Sequence, residues 1–542
     1  RNTLPRENNN PADETMVLVN NPNTNNCFTV LTYNIFAKSL GTNTIPWVMN
    51  VSPSIQNRIV EATLPTPPTF QTWVEATLKP EYLTHFHKNF DSGNYASMRQ
   101  FWGAPVCNSQ QDIPPELTGL SFWEEDQVSY TTKSDATPVV ATNLRGVAKK
   151  SLPHDVFQDF FTEVVSSEQN VYSWPVRGPR ILDTILGHQC TTPLPSSSSP
   201  DIVALQEYDI HNVMAKYRKK HDDSEDETFA QAMAASGYDG VFCKDPLHGR
   251  DPPSGLGLFW KRSIFQPASK TADTNNKDCG DKDNGIDAVI METLECNEKA
   301  FDGSIINMDL QEKWHPIKQL SSTSRGEDDE ENREELMKAP DRRNAVIARL
   351  VHRTSGRIVC LCTSHLMTTS RDSSKTNKFP GEVRAGEIAA IRLLVEQSIA
   401  KNDGDDDAIV WVGDMNTDAS IGETLFTGKI LSTSSSKTSN KEDFVTFETG
   451  FDSATKQFCW GNSNYHLSDA FADLHQWGDG VGEGKHCTSR NANRIEWIDY
   501  IFHDTDRLKV VDKSELRTPS KMLPDESNPS DHLPVIATFE FK

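Results

Sequence analysis

A chain of 542 residues can bury a large core, either as two to four ordinary domains or as one heavily inserted domain. Hydrophobic residues make up 36% of it, and no run approaches the roughly 20 consecutive apolar residues needed to cross a bilayer. With 54 basic and 77 acidic residues the formal net charge is −23, which opposes coating a polyanion but not a site that screens phosphate with a divalent cation.

The chain opens at Arg1 with RNTLPRENNNPADET, lacking an initiator Met or leader pattern, so any address once carried there is expected to be missing. Asn, Pro and Thr dominate residues 1–26, a composition expected to stay disordered. FTVLTYNIFA then reads as a strand buried between layers, and DIVALQEYD (201–209) as the next comparable one. Between them lies an accessory insertion, residues 41–172, with two amphipathic helical patches. One carries Trp73, Leu78, Leu83 and Phe86; the other is HDVFQDFFTEVV. Aromatics at helical spacing favour a packed accessory unit, with a substrate lid as the alternative.

Further strands are predicted at GYDGVFCKD, SGLGLFWKRSIF, AVIARLVHR, RIVCLCTSHL, AIVWVGDMNTD, WIDYIFH and LPVIATFEF, with a helix at GEVRAGEIAAIRLLVEQSIA. Many strands with interleaved helices point to an α+β sandwich flanked by helices. Ser-rich or acidic stretches at 194–199, 321–335 and 432–440 read as mobile loops, the second as a disordered acidic one, and acid runs such as 222–227 as solvated surface. Of ten cysteines only Cys360 and Cys362 lie close together, on one face of a strand, where they read as small apolar core residues. That usage suits a reducing, cytoplasmic setting.

Four hydrophobic strands end in groups that are costly to bury: Tyr33-Asn34, Gln206-Glu207, Ser364-His365, and the turn from Gly413 to Asn416. Asp499 stands inside another strand, and Asp531-His532 immediately precede the last. Each signal alone has a bland reading: a turn for Asp414, a satisfied core ring for His365, a backbone-bonded acid for Asp499. Together they form the donor set of a phosphoesterase. Magnesium takes hard oxygen ligands, for which Glu207 and Asp531 are natural anchors. Asp414, Asn416, His532 and His365 supply the base and donor types that a phosphodiester needs.

In this order, Asn34 in TYNIFA, Glu207 in ALQEYD, His365 in TSHL, Asp414 and Asn416 in WVGDMN, Asp499 in WIDYIF, and Asp531 and His532 in SDHLPV resemble the endonuclease/exonuclease/phosphatase superfamily. The match runs from residue 27 to 542 apart from the insertion. It implies a four-layer α/β sandwich of two facing mixed β-sheets with outer helices, plus the large helical insertion. It also implies Glu207, Asn34 and Asp531 as ligands of one or two Mg2+ ions (Mn2+ being possible), Asp414 orienting or deprotonating water, and Asn416 on the scissile phosphate. His532 would stabilise the phosphorane-like charge with Asp499 holding its ring, and His365 would donate to a phosphate oxygen. WPVRGPRILDTI, GYDGVFCKDP and SGLGLFWKRSIF are most similar to the deadenylase-like branch, which includes nocturnin, the angel proteins and 2',5'-phosphodiesterase. By that likeness Lys244 would lie near the substrate phosphate. Where some members carry a basic residue after SHL, this chain reads MTTSRD, leaving Arg371 or Arg384 as substitutes. The implied substrate is RNA or a nucleotide, cut by a 3'-exonuclease-like activity. A sphingomyelinase-like phospholipid phosphodiesterase, a DNase, and a non-catalytic binding protein on the same fold are the alternatives.

Overall fold

The computed structural model describes residues 26–35, 51–63, 69–77, 105–106, 127–132, 135–167, 171, 174–187, 199–209, 228–245, 254–268, 291–294, 298–301, 304–310, 343–367, 380–400, 406–418, 425–431, 444–461, 464–474, 486–491, 494–516, 518–519 and 523–542. The expected disorder of the N-terminal segment and of the 321–335 loop lies outside them.

Two large mixed sheets carry the fold. The seven-stranded sheet runs Leu508–Lys513, Val535–Phe541, Cys27–Asn34, Ile202–Asp209, Ser254–Lys261, Tyr238–Lys244, Met291–Leu294. Central in the ten-stranded sheet are Asn344–His352, Ile358–His365, Ala408–Asp414 and Asp499–Asp504. Alternation assigns the two faces of the first sheet. Val30, Ile202, Ala204 and Leu258 join a core shared with Ile347, Cys360, Cys362, Val410 and Val412 of the second sheet. Their neighbours Leu31, Tyr33, Val203 and Leu205 pack outward with Ile181, Leu182 and Ile185 of the helix Trp174–Leu186. The helix Pro380–Ala400 lies against the strands Asn344–His352 and Ile358–His365 of the other sheet. Layers of helix, sheet, sheet and helix result, the sandwich expected from the sequence. Cys360 and Cys362 are free and fully buried, and burial pushes the Cys360 thiol up to about 12, so both behave as apolar core groups.

Within 41–172 the described residues include the helices Pro53–Thr63, Phe70–Thr77 and His154–Ser167. Trp73 stacks on Phe70 with ring centroids 5.7 Å apart and meets Phe160 edge-on at 5.8 Å, so the aromatic spacing builds a local core. Leu78, Leu83 and Phe86 lie outside the described residues. A three-stranded antiparallel sheet of Pro105–Val106, Gln127–Thr132 and Asp135–Asn143 adds strand to a segment expected to be helical.

Candidate active site

The strands Cys27–Asn34 and Ile202–Asp209 are parallel, as are Ile358–His365 and Ala408–Asp414, so each pair delivers its carboxyl end to the same edge. In open α/β sheets that edge is where ligands bind. Register does the rest: Asn34 is opposite Gln206, His365 opposite Asp414, and Asp414 opposite Asp499 on the antiparallel strand beyond. Below the edge the buried Gln206 amide joins the sheets, donating to Thr363 Oγ1 at 3.3 Å while its Oε1 accepts from Thr32 Oγ1 at 3.3 Å.

Local backbone turns the side chains inward. The pairing of Ile202–Asp209 with Ser254–Lys261 shifts register between Leu205 and Tyr208, and in this bulge Glu207 takes a left-handed φ of 54°. A bulge re-aims one side chain out of the alternation, and a left-handed glutamate holds strain of the kind found at functional sites. Asn416 also has positive φ, 46°, and its N–H donates to Asp414 Oδ1 at 2.8 Å. Gly413, at φ 142°, lies so near the neighbouring strand that a Cβ would stand 1.9 Å from Ser364 O. Only glycine lets the Asp414 strand lie this close.

Asp414 is the hub. Its Oδ2 accepts from Asn34 Nδ2 at 3.1 Å and stands 3.5 Å from His365 Nε2 and 3.7 Å from His532 Nε2. Asn34 Nδ2 also reaches Glu207 Oε1 at 3.3 Å. His532 Nδ1 meets Asp499 Oδ2 at 2.8 Å, while its Nε2 is 3.8 Å from Asp531 Oδ1. Eight of the nine site residues expected from the sequence thus lie in one connected group, with Asn416 joined through the Asp414 carboxylate. Lys244 ends the strand Tyr238–Lys244, and its carbonyl accepts from Asn307 and Asn344 at 3.2 Å each.

The His532 ring is pushed up to about 9. Burial, the largest single influence, pulls downward, but Asp499, Asp531 and Asp414 together outweigh it. Asp499 holds the imidazole in the orientation that aims Nε2 at Asp414.

Several supporting groups carry no role predicted from the sequence. Arg177, fully buried, donates through Nη1 to the carbonyls of Ile35 at 3.2 Å and Pro529 at 3.1 Å, tying the Asn34 strand end to the loop of Asp531. Ser530 Oγ donates to Asn34 O at 2.6 Å across the same seam. Thr488 Oγ1 accepts the N–H groups of Ile498 and Asp499, and Ser489 Oγ donates to Asp531 O at 3.1 Å. Arg343 Nη1 faces His365 Nδ1 at 3.5 Å and Asp245 Oδ2 at 3.9 Å. Arg384, one of the two basic candidates after SHL, points instead into the protein, donating to Met367 O at 3.1 Å. Its guanidinium is buried and turned to backbone; Arg371 lies outside the described residues.

The donor set suits a hard divalent cation. Three buried carboxyl groups (Asp414, Asp499, Asp531) surround the His532 imidazole, with Glu207 joined to them through Asn34, and ligand atoms of Asp414, Asp499 and His532 lie within 4.8 Å of one another. Asp499 Oδ1 is buried without a hydrogen-bond partner among the described residues. Uncompensated, so many buried carboxylates would repel one another by several kcal/mol.

The profile of the Endonuclease/Exonuclease/phosphatase family matches residues 170–532. The chain belongs to that family. It is accordingly a phosphoric ester hydrolase. No curated protein sequence matches the chain. Among solved structures, the human Nocturnin catalytic domain with bound sulfate is similar at 18% identity and a TM-score of 0.36, covering 68% of this chain and 86% of that one. ANGEL2, described as a 2',3'-cyclic phosphatase in complex with adenosine-2',3'-vanadate, is similar at 16% identity and 0.41, covering 70% and 92%. The Bacteroides thetaiotaomicron mannosyl-6-phosphatase Bt3783 is similar at 15% and 0.31, covering 68% and 91%. Among the described residues no helix is long and apolar enough to cross a membrane.

Proposed function

We propose that this family member hydrolyses a phosphodiester or phosphomonoester of RNA or a nucleotide with Mg2+, as a 3'-exonuclease of the deadenylase-like kind. The observation that carries the chemistry is Asp414, a buried carboxylate between two imidazoles and two carboxamide residues, at the open edge of two sheets. Asn34, Glu207 and Asp531 offer oxygens to the cation, which when bound would neutralise phosphate charge and acidify a coordinated water.

The chain's own residues supply the rest. Asp414 takes the proton of the attacking water or fixes its lone pair toward phosphorus. His532, held by Asp499, donates through Nε2 to the non-bridging oxygens as charge gathers there. His365 donates from the other side, and Asn416, pinned by its own N–H and by Nδ2 to Leu366 O at 2.9 Å, contacts the scissile phosphate. Lys244 belongs to this reading as an outer contact for a neighbouring phosphate.

The substrate class rests on the motif likeness of residues 174–185 and 237–265 to the deadenylase-like branch. Free, buried cysteines accord with a cytoplasmic address. The test incubates the purified chain and Mg2+ with labelled poly(A), 2',5'-oligoadenylate, NADPH, a generic diester, duplex DNA and sphingomyelin vesicles. Turnover of at least one of the first three, well above DNA and vesicles, is expected. Cleavage of the generic diester with all three untouched would remove the RNA or nucleotide assignment, and choline-phosphate release would replace it by a lipid one.

A further inference from the structure

Behind the site, the segment that follows His365 is fastened at every backbone polar group. Leu366 N–H donates to Asp414 O at 2.9 Å, and Leu366 O accepts from Asn416 Nδ2 at 2.9 Å. Met367 N–H donates to Glu387 Oε2 at 2.9 Å, and Met367 O accepts from Arg384 Nη1 at 3.1 Å. Glu387 and Arg384 stand three residues apart on the helix Pro380–Ala400, hence on one face of it. Both are buried, at 0% and 5% exposure, where an ionised pair is costly to keep and an apolar pair of similar volume would pack as well. Burial lowers the guanidinium, while the carboxylates of Glu387 and Asp414 sustain its charge. A donor and an acceptor gripping the two sides of one residue's backbone fix the turn in position and rotation, and the turn in turn holds the Asn416 amide.

We infer that Arg384 and Glu387 are positioning residues for the reaction, a clamp on Met367 that sets where Asn416 meets the phosphate. The inference rests on the reading above that Asn416 touches the phosphate. Both act through the turn they hold, and a misplacement of about 1 Å at a reacting group can cost on the order of 100-fold in rate.

The experiment is a double-mutant cycle on whichever substrate the parent turns over fastest with Mg2+. One arm is R384M/E387L, which removes both charges together and strands neither; the other is Asn416→Ala. R384M/E387L is expected to keep the parent's circular dichroism, with a thermal midpoint lowered by the two Met367 backbone groups left unpaired, to lose about tenfold or more in kcat at a temperature where it is folded, and to leave KM within about twofold. In the Asn416→Ala background the same pair should cost less than about threefold, because the group it positions is gone. A folded R384M/E387L protein with the parent's kcat, or a loss that is undiminished in the Asn416→Ala background, overturns the inference. If the pair does not fold, Arg384→Lys decides: it keeps the charge but loses the guanidinium reach, so a lowered kcat supports the clamp and the parent's kcat overturns it. An Asn416→Ala protein as active as the parent would instead refute the reading of the site itself.

Discussion

His503 offers a stability prediction that can be worked through from its surroundings. It sits on the strand Asp499–Asp504, 7% exposed, with its ring 5.2 Å from that of Phe539 on the facing sheet. Burial lowers it to about 4, and Asp469 and the Ser468 backbone only partly oppose the shift. Above pH of about 6.5 the ring is neutral in folded and unfolded chains alike, so it adds no pH dependence. As pH falls from about 6.5 to about 4, the unfolded chain takes up a proton that the folded one refuses, and stability drops by about 1.4 kcal/mol per pH unit. Across that window the loss comes to about 3 kcal/mol from this ring alone, an order-of-magnitude figure. Denaturant midpoints measured from pH 8 to pH 4 for the parent and His503→Phe isolate it, since the carboxylates titrate in both. The variant should show a shallower decline, by close to one proton, with the curves parallel above pH 7. Equal slopes between pH 6.5 and 4 would refute the assignment of a buried neutral imidazole.

Asp499→Asn should lower kcat by about 100-fold or more with folding retained, because His532 loses both its orienting partner and its strongest source of positive-charge support. Its alkaline pH limb should move downward, as removing one negative charge beside the ring lowers it whether or not a cation is bound; an unmoved limb in rate–pH profiles would count against His532 as the titrating donor. Glu207→Gln should weaken Mg2+ binding by about tenfold or more in calorimetry while the fold stays intact, and unchanged affinity would remove Glu207 from the ligand set.

Most of the catalytic group was legible because expensive residues recurred at the ends of apolar strands, and a strand end is a place that topology repeats. Asn34, Glu207, His365 and Asp414 could be read this way, and parallel pairing then brought them to one edge. What was not legible lies in contacts set by register and loop closure. Thr488 and Ser489 support Asp499 and Asp531 from a segment that reads as ordinary loop. Arg177 bridges carbonyls of residues 35 and 529, a link no local pattern encodes. Arg384 was visible as a charge but not its direction, since helix periodicity tells which face a residue takes and not what it bonds. The bulge at Glu207 likewise appears only in the pairing. Within 41–172 the strands Gln127–Thr132 and Asp135–Asn143 are rich in Val and Thr, a β signal outweighed by the aromatic helices on either side.

The account stands on Asp414 acting with a divalent cation at the strand ends, and the direct measurement is hydrolysis of bis-p-nitrophenyl phosphate by the parent and Asp414→Asn, with Mg2+ and with EDTA. Turnover that needs Mg2+, is abolished by EDTA, and falls by about 10³-fold in a folded Asp414→Asn protein is predicted. Parent-like turnover in Asp414→Asn, or hydrolysis indifferent to EDTA, would contradict it.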